Sequence, residues 1–390
     1  MVTLNSADSA LKSFYLQAIT DALDTKTNPF LAKIQKTSSN VTGKDVRKVV
    51  RLGVNGGISA GTETGDLPTA SGNKYMQFKG TLKNLYGTLE ISDKAIRASA
   101  NNEGSFVNLL NDEMEGLVKS ANYNFGRMLF GDGTGLLTTV LGVIGETTVA
   151  FRSIKNLAEG MYVDFVEKDS NTVLMERVKV ESIDYAQQTV ELTDLPVGLS
   201  DGKLPNGTRV YLHGAMGNEL TGLGAIFSTQ PIYDCPRANS LMRPYMKNEI
   251  GSIDENIIQR AIDSIEETSG GKINFIICSW GVRRALMDYY KAFKVVLPSV
   301  TLEGGMQAIS FNGIPVVVDR FCPEGTMYLL NTDDFKLHQL CDWQWIEAED
   351  GKILKQVPGK PVYTATLVKY AELMCEKPCG QGMLTGIEEA

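Results

Sequence analysis

The stretch that most constrains this chain is Asn102–Gly135, NEGSFVNLLNDEMEGLVKSANYNFGRMLFGDGTG. Its apolar residues Phe106, Leu110, Met114, Leu117, Ala121, Phe125 and Met128 recur at steps of three or four. That rhythm draws one stripe, a core-facing side, along an α-helix and turns Asp112, Glu115, Lys119 and Arg127 away from it. Ser105 can cap the start, and Gly131, Gly133 and Gly135 end the helix with residues that tolerate positive φ. From Ser105 to Phe130 the rod would be roughly 39 Å long, enough to act as a beam across a domain.

Ahead of the helix, Val46–Val54 and Tyr75–Ile91 read as strands, rich in β-branched and aromatic residues. Between them lies Gly56–Asn73, GGISAGTETGDLPTASGN, polar, glycine-rich and unable to build a core of its own. Two strands joined in this way make a long hairpin arm. Ser92 and Asp93 then cap a short helical turn before the rod.

A hairpin arm, then LYGTLEISDKAIRAS, then a long helix ending in FGDGTG, resembles the major capsid proteins of tailed bacteriophages with the Hong Kong 97-type fold. The resemblance continues at RANSLMRPYMKNEIGSIDENIIQRAIDSIEETSGGKINFIICSWGVRRALMDYY, at FNGIPVVVDRFCPEGTMYLLNTDDFKLHQL and at the closing YTATLVKYAELMCEKPCGQGML. The order of these pieces carries it, and it covers most of the chain outside residues 150–214. It implies an α+β fold with an N-terminal arm (1–45), an E-loop hairpin (46–92), and a peripheral (P) domain (93–150) containing the spine helix 105–130. The second part of that domain (215–271), an axial (A) domain (272–350) and P-domain closing strands (351–390) follow. Intersubunit contacts are expected from E-loop residues Glu63, Asp66, Lys74, Lys79 and Lys83, and from arm residues Lys33, Lys36, Lys44, Arg47 and Lys48. The namesake of the fold joins an E-loop lysine to a late asparagine of a neighbouring subunit. Here no asparagine follows Asn331, so no such crosslink is expected.

Residues 151–214 lie outside the resemblance. Alternation in Met161–Val166, Leu174–Val180, Thr189–Leu192 and Val210–His213, with Gly, Asp and Asn turns, predicts an inserted small β-barrel or sandwich lobe. Before the hairpin, Ala7–Leu23 is weakly amphipathic until Asn28-Pro29 breaks it. The E-loop is reached within about fifty residues, which leaves no room for a fused scaffolding segment. Later, Ser252 and Glu255 have the spacing of a capping box ahead of the stripe Ile253, Ile257, Ile258, Ala261, Ile262 and Ile265. That stripe would suit packing on the spine helix, and Gly270-Gly271 ends it.

Charge and composition limit the partners. The net charge is −8, yet residues 1–51 carry +4, which leaves −12 for the rest. An acidic body repels DNA, so packaged DNA would be touched weakly if at all, and the basic arm is better suited to a protein neighbour. The chain lacks a secretory signal pattern and any run of eighteen apolar residues, so no membrane association is expected. Six scattered cysteines and two distant histidines argue for reduced thiols and against a metal site.

Phosphate-loop, dinucleotide, zincin and serine-hydrolase motifs are all missing. The Gly131–Gly135 run follows a helix, whose carbonyl end repels anions, so it reads as a turn and not as a phosphate cradle. His338 reads as a structural or interface residue. No catalytic residue, cofactor or metal is therefore expected, and an unrecognised enzyme is the least favoured alternative.

The expectation is a structural virion protein, a major capsid (head) protein that self-assembles through hexamers and pentamers into an icosahedral shell enclosing phage DNA. Its partners would be a separately encoded scaffolding protein, a portal protein and possible decoration proteins, with assembly in the cytoplasm of the host bacterium. The alternative within the same fold is an encapsulin-like cellular nanocompartment.

Overall fold

The computed structural model describes residues 28–95, 103–195, 203–292, 299–301, 307–347, 351 and 353–390, with the backbone alone at 103–112, 299–301 and 307. The amphipathic segment Ala7–Leu23 lies outside the described residues. Two compact units are formed, one by residues up to Lys119 together with Ile226–Ala390, the other by Ser120–Ala225.

In the first unit a single helical turn, α1 (Pro29–Lys33), buries Phe30 edge-on against Phe335. Strands β1 (Gln35–Thr37), β2 (Val41–Thr42) and β3 (Asp45–Leu52) follow, and β3 pairs antiparallel with β4 (Lys74–Thr81) as a hairpin. The sequence reading of one strand over Tyr75–Ile91 is corrected. The chain breaks at Leu82, which buries its side chain and donates its N–H to Lys44 O, and β5 (Lys83–Ser92) joins a different sheet.

Helix α2 (Glu103–Phe130) has 28 residues, so Ser105 lies inside its first turn and not before it. Phe106 and Leu110 fall on the described backbone only. Beyond them Met114, Val118, Phe125, Met128 and Leu129 are buried, while Leu117 and Ala121 are half-buried. Glu115 and Lys119 are exposed as expected, but Arg127 is buried. Its guanidinium meets Glu219 with Nη1–Oε2 at 2.9 Å, each side chain 3% exposed, and this two-point pairing is what lets the charges leave water.

The second unit is a closed six-stranded barrel of β6 (Leu136–Val143), β7 (Thr148–Phe151), β8 (Tyr162–Val166), β9 (Val173–Asp184), β10 (Thr189–Thr193) and β11 (Arg209–Leu212), in the cyclic order β10-β7-β6-β11-β8-β9. Alternate residues such as Val140, Phe151, Phe165, Val178 and Val190 fill its interior. The lobe therefore begins at Leu136, ahead of the residue 151 expected from sequence. Strands β6 and β7 are needed to bring β10 and β11 into one closed sheet.

The rest of the first unit builds two sheets. After β12 (Tyr245–Lys247), helix α3 (Glu255–Ser269) is capped by Asp254, whose carboxylate accepts from Ile257 N at 2.7 Å. Asp254 thus displaces the expected Ser252 cap, and Ser252 Oγ donates to Glu388 instead. Gly270, at φ 61°, ends the helix in the left-handed conformation. Strand β13 (Phe275–Cys278), helix α4 (Trp280–Ala292), β14 (Ser299–Thr301), β15 (Gln307–Phe311), β16 (Ile314–Val318) and β17 (Met327–Leu330) follow. Then come β18 (Phe335–Trp345), β19 (Lys355–Gln356), β20 (Val362–Cys375) and β21 (Gly382–Leu384).

One sheet runs β12-β21-β17-β13-β16-β15-β14 and shares a core with α3 and α4. Ile258, Ile262 and Ile265 sit there with Ile276, Leu329 and Leu384, so the stripe of α3, expected on the long helix, packs on this sheet, and no described residue of the long helix joins that core. The other sheet runs β1-β18-β20-β19, with β5 also on β20. Two boundaries read from sequence shift accordingly. Strand β18, placed with the axial domain from sequence, pairs with the closing strand β20, while β21, placed with the closing strands, lies between β12 and β17 in the seven-stranded sheet.

Candidate assembly surfaces

The β3–β4 arm is held at its root. Val46 and Phe78 are fully buried there, and the Phe78 ring stacks on Tyr233 with centroids 5.7 Å apart. Lys79 N donates to Tyr233 O at 3.1 Å, and the Cys235 thiol donates to Gln77 O at 3.3 Å. Tyr233 and Asp234 both adopt positive φ, 55° and 57°, which turns this loop back against the arm. Residues 53–73 form neither strand nor helix. Val54, Ile58 and Leu67 are 92%, 84% and 91% exposed, so the described residues of the chain leave these side chains uncovered.

Glu63 and Asp66 are exposed on this tip, beside a turn closed by Gly65 N donating to Thr62 O, and Lys74 is exposed where β4 begins. Lys79 is drawn back to Asp45 and Asp234, at 4.0 and 3.7 Å. Lys83 opens β5 opposite Ala371, inside the sheet and off the hairpin. Of the arm residues, Lys33 and Lys44 are exposed and Arg47 lies 3.6 Å from Asp45. Lys36 and Lys48 are engaged within the chain. Lys36 pairs with Asp342 at 3.4 Å, and Lys48 and Lys336 converge on Glu376, each at 3.1 Å. Burial opposes the charge of Glu376, but hydrogen bonds from the two lysines outweigh it and hold the pKa below the ordinary value. These pairs tie β1 and β3 to the sheet of β18 and β20.

One buried cation, Lys369, escaped the sequence reading, while His338 was read as a structural or interface residue. Lys369 on β20 is 1% exposed. Its ammonium contacts the Asp342 carboxylate, donates to Gln339 Oε1 at 3.1 Å and lies 5.9 Å from the centre of the Trp343 ring. Burial depresses the Lys369 pKa in spite of Asp342. At Asp342 burial works the other way, yet the Lys369 charge prevails and its pKa is lowered. The signal was present in the sequence: Lys369 is in phase with Ala365, Leu367, Ala371 and Leu373, the inward-facing residues of the strand. His338 is fully buried, with Nδ1 3.0 Å from Ser39 O, and burial lowers its pKa.

The remaining polar chemistry is structural. His213 Nδ1 lies 2.8 Å from Asp164, whose oxygens also accept from the backbone N–H groups of Arg177 and Gly214 and so join the ends of barrel strands. Burial raises the Cys278 pKa to about 12 and the Cys375 pKa well above its usual value, which keeps these thiols protonated and poorly nucleophilic. Among the described residues no group of three or more His, Cys, Asp or Glu is placed to hold a metal ion. Within the same residues, no helix is long and apolar enough to cross a membrane.

No protein-family model matches the chain, and no curated protein matches it by sequence. Solved structures do. A chain of the cyanophage A-1(L) capsid asymmetric unit superposes with a TM-score of 0.55 at 10% identity, covering 93% of this chain and 93% of that one. A capsid chain of a native GTA particle gives 0.48 at 9% identity, over 92% of this chain and 90% of that chain. The holo-SrpI encapsulin of Synechococcus elongatus gives 0.47 at 10% identity, over 96% and 95%. The chain has the Hong Kong 97-type capsid fold, an α+β architecture here carrying an inserted barrel.

Proposed function

We propose that this chain is the major head subunit of a tailed bacteriophage, which self-assembles through hexamers and pentamers into an icosahedral shell around DNA. The observation that carries this reading is the arm: a hairpin anchored at its root whose tip exposes Val54, Ile58 and Leu67 to solvent. Large apolar side chains presented on an unsupported loop gain their burial from another molecule. In a shell each subunit makes several such contacts, and linked weak contacts raise the effective concentration of one another.

The rest of the proposal follows from the shell. Its scaffolding protein would be separately encoded, a portal would occupy one vertex, and decoration proteins would find repeated sites outside. Assembly would take place in the host bacterial cytoplasm, and the finished location would be the virion. The acidic bulk of the chain suits a container that does not grip its DNA.

Deleting Ser59–Gly72 tests the reading. The shortened subunit should stay folded and soluble but form no closed shells by electron microscopy. Normal particles from the deletion would refute the role assigned to the arm. Nucleic-acid content of shells purified from an infected host separates a DNA-filled head from a cargo compartment.

A further inference from the structure

We propose that residues 385–389 are a locking strap whose carboxylate, Glu389, caps α4 from outside the helix, and that Gly281 is a glycine because it seats that carboxylate. The inference goes beyond the shell-subunit reading and holds whatever shell the subunit builds. Past β21 the chain leaves the sheet but stays bonded to the segment that leads from β12 into α3. Thr385 N donates to Lys247 O at 3.0 Å, and Ile250 N to Thr385 O at 3.2 Å. Gly251 N donates to Gly386 O and Glu388 N to Gly251 O, both at 2.9 Å. On the other side of the strap, Ile387 N donates at 3.0 Å to Gly325 O, in the turn between β16 and β17. The Ile387 side chain is 4% exposed and belongs to the core shared by α3, α4 and the seven-stranded sheet.

The strap ends against the first turn of α4. Ser279, 2% exposed, caps that helix from within the chain, its Oγ accepting from Val282 N at 3.3 Å. The same hydroxyl donates to Glu389 Oε1, which also accepts from Gly325 N at 2.7 Å. A carboxylate in this place faces the positive end of the helix dipole. Helix amide, hydroxyl and carboxylate form one connected run of hydrogen bonds, each polarising the next. Gly281 is the second residue of the helix and is buried. Its φ is not positive, so no turn demands a glycine, and alanine is the better helix former. The three heavy atoms nearest to a Cβ built at Gly281 all belong to the Glu389 side chain, and all stand too close for a methyl group. The strap accounts for the glycine, whose bare backbone is the seat of the carboxylate.

A double-mutant cycle in the full chain tests this, read as the unfolding equilibrium constant in urea. Glu389→Gly removes the three atoms that a methyl group would strike, and should raise that constant about tenfold by leaving Ser279 and Gly325 N without their acceptor. Gly281→Ala should raise it about as much, by pushing the strap from its seat. In the double variant the new methyl has lost its obstacle, so it should be no less stable than Glu389→Gly alone. The alanine that harms the wild type thus does no harm once the carboxylate is gone. The Gly325 amide should exchange its hydrogen faster in either single variant. Additive losses in the double variant, an unharmed Gly281→Ala, or a Gly325 amide that exchanges at the wild-type rate in Glu389→Gly overturns the proposal. If Gly281→Ala fails to fold, adding Glu389→Gly must restore the fold, and a double variant that stays unfolded overturns the proposal equally.

Discussion

Tyr233 stacks on Phe78 at the root of the arm while its hydroxyl spans the closing strand, donating to Leu373 O at 3.3 Å and accepting from Cys375 N at 2.9 Å. One side chain thus fastens the hairpin to the sheet of β20. Its fully enclosed hydroxyl has a pKa raised well above the usual phenolic value, chiefly by burial, so it remains a neutral donor. Tyr233→Phe keeps the stack but leaves the Cys375 N–H buried without that acceptor. The expected loss is about 1–3 kcal/mol of subunit stability in urea unfolding. An unchanged midpoint would show that the bridge contributes nothing.

The long helix meets the sheet at a second close approach. A Cβ on Gly87 of β5 would come within 3.1 Å of Leu117 Cδ1, so the missing side chain makes room for the helix. Gly87→Val should overpack this contact and cost about 1–3 kcal/mol. Leu117 is half-buried, so Leu117→Asp should cost a similar amount, on the order of 1–3 kcal/mol. Glu115→Ala, exposed on the same helix, should change stability by less than about 0.5 kcal/mol. Denaturant midpoints of the three variants check this ordering.

Acid should weaken the attachment of the arm through His338. The unfolded imidazole titrates near 6.5. In the fold, burial lowers that value against the opposing Ser39 carbonyl and Glu376, and Lys336 and Lys48 lower it further. Between the two values the unfolded chain holds more protons, so stability rises with pH across that window. Stability should be full above pH 6.5 and fall as the pH drops below it toward the folded-state value. Asp342 and Glu376, both held below their ordinary carboxylate values, add losses of the same sign at lower pH. His338→Gln should flatten the unfolding midpoint between about pH 7 and pH 5.5. An equally steep profile in the variant would assign the slope to other groups.

The barrel should fold as a unit only with its first two strands. A fragment of residues 120–225 contains β6 to β11 together with the Arg127–Glu219 pair, and should unfold in one cooperative thermal transition. A fragment of residues 151–214 lacks β6 and most of β7, leaving edges of β10 and β11 unpaired, and should show no such transition. Cooperative unfolding of the shorter piece would mean that closure of the barrel is dispensable.

Some of this molecule was determined by sequence alone. The periodicity of α2, the glycine-rich tip between β3 and β4, the alternation of the barrel strands and the apolar phase of α3 are local patterns. Such patterns are read from neighbours a few residues apart. From them followed the rod, the arm, the lobe and, in their order along the chain, the fold. What tertiary structure decided was the partner of each pattern. The stripe of α3 names a buried face but not the sheet that buries it. Strand β18 alternates equally well in either sheet, and only pairing with β20 assigns it. Arg127 reads as a solvated charge until Glu219, 92 residues away, supplies the opposite charge that makes burial tolerable, as Asp342, 27 residues away, does for Lys369. The same holds at the surface. Lys36 and Lys48 looked available to a neighbour because their acceptors, Asp342 and Glu376, stand about three hundred residues later and are brought near only when the closing sheet forms.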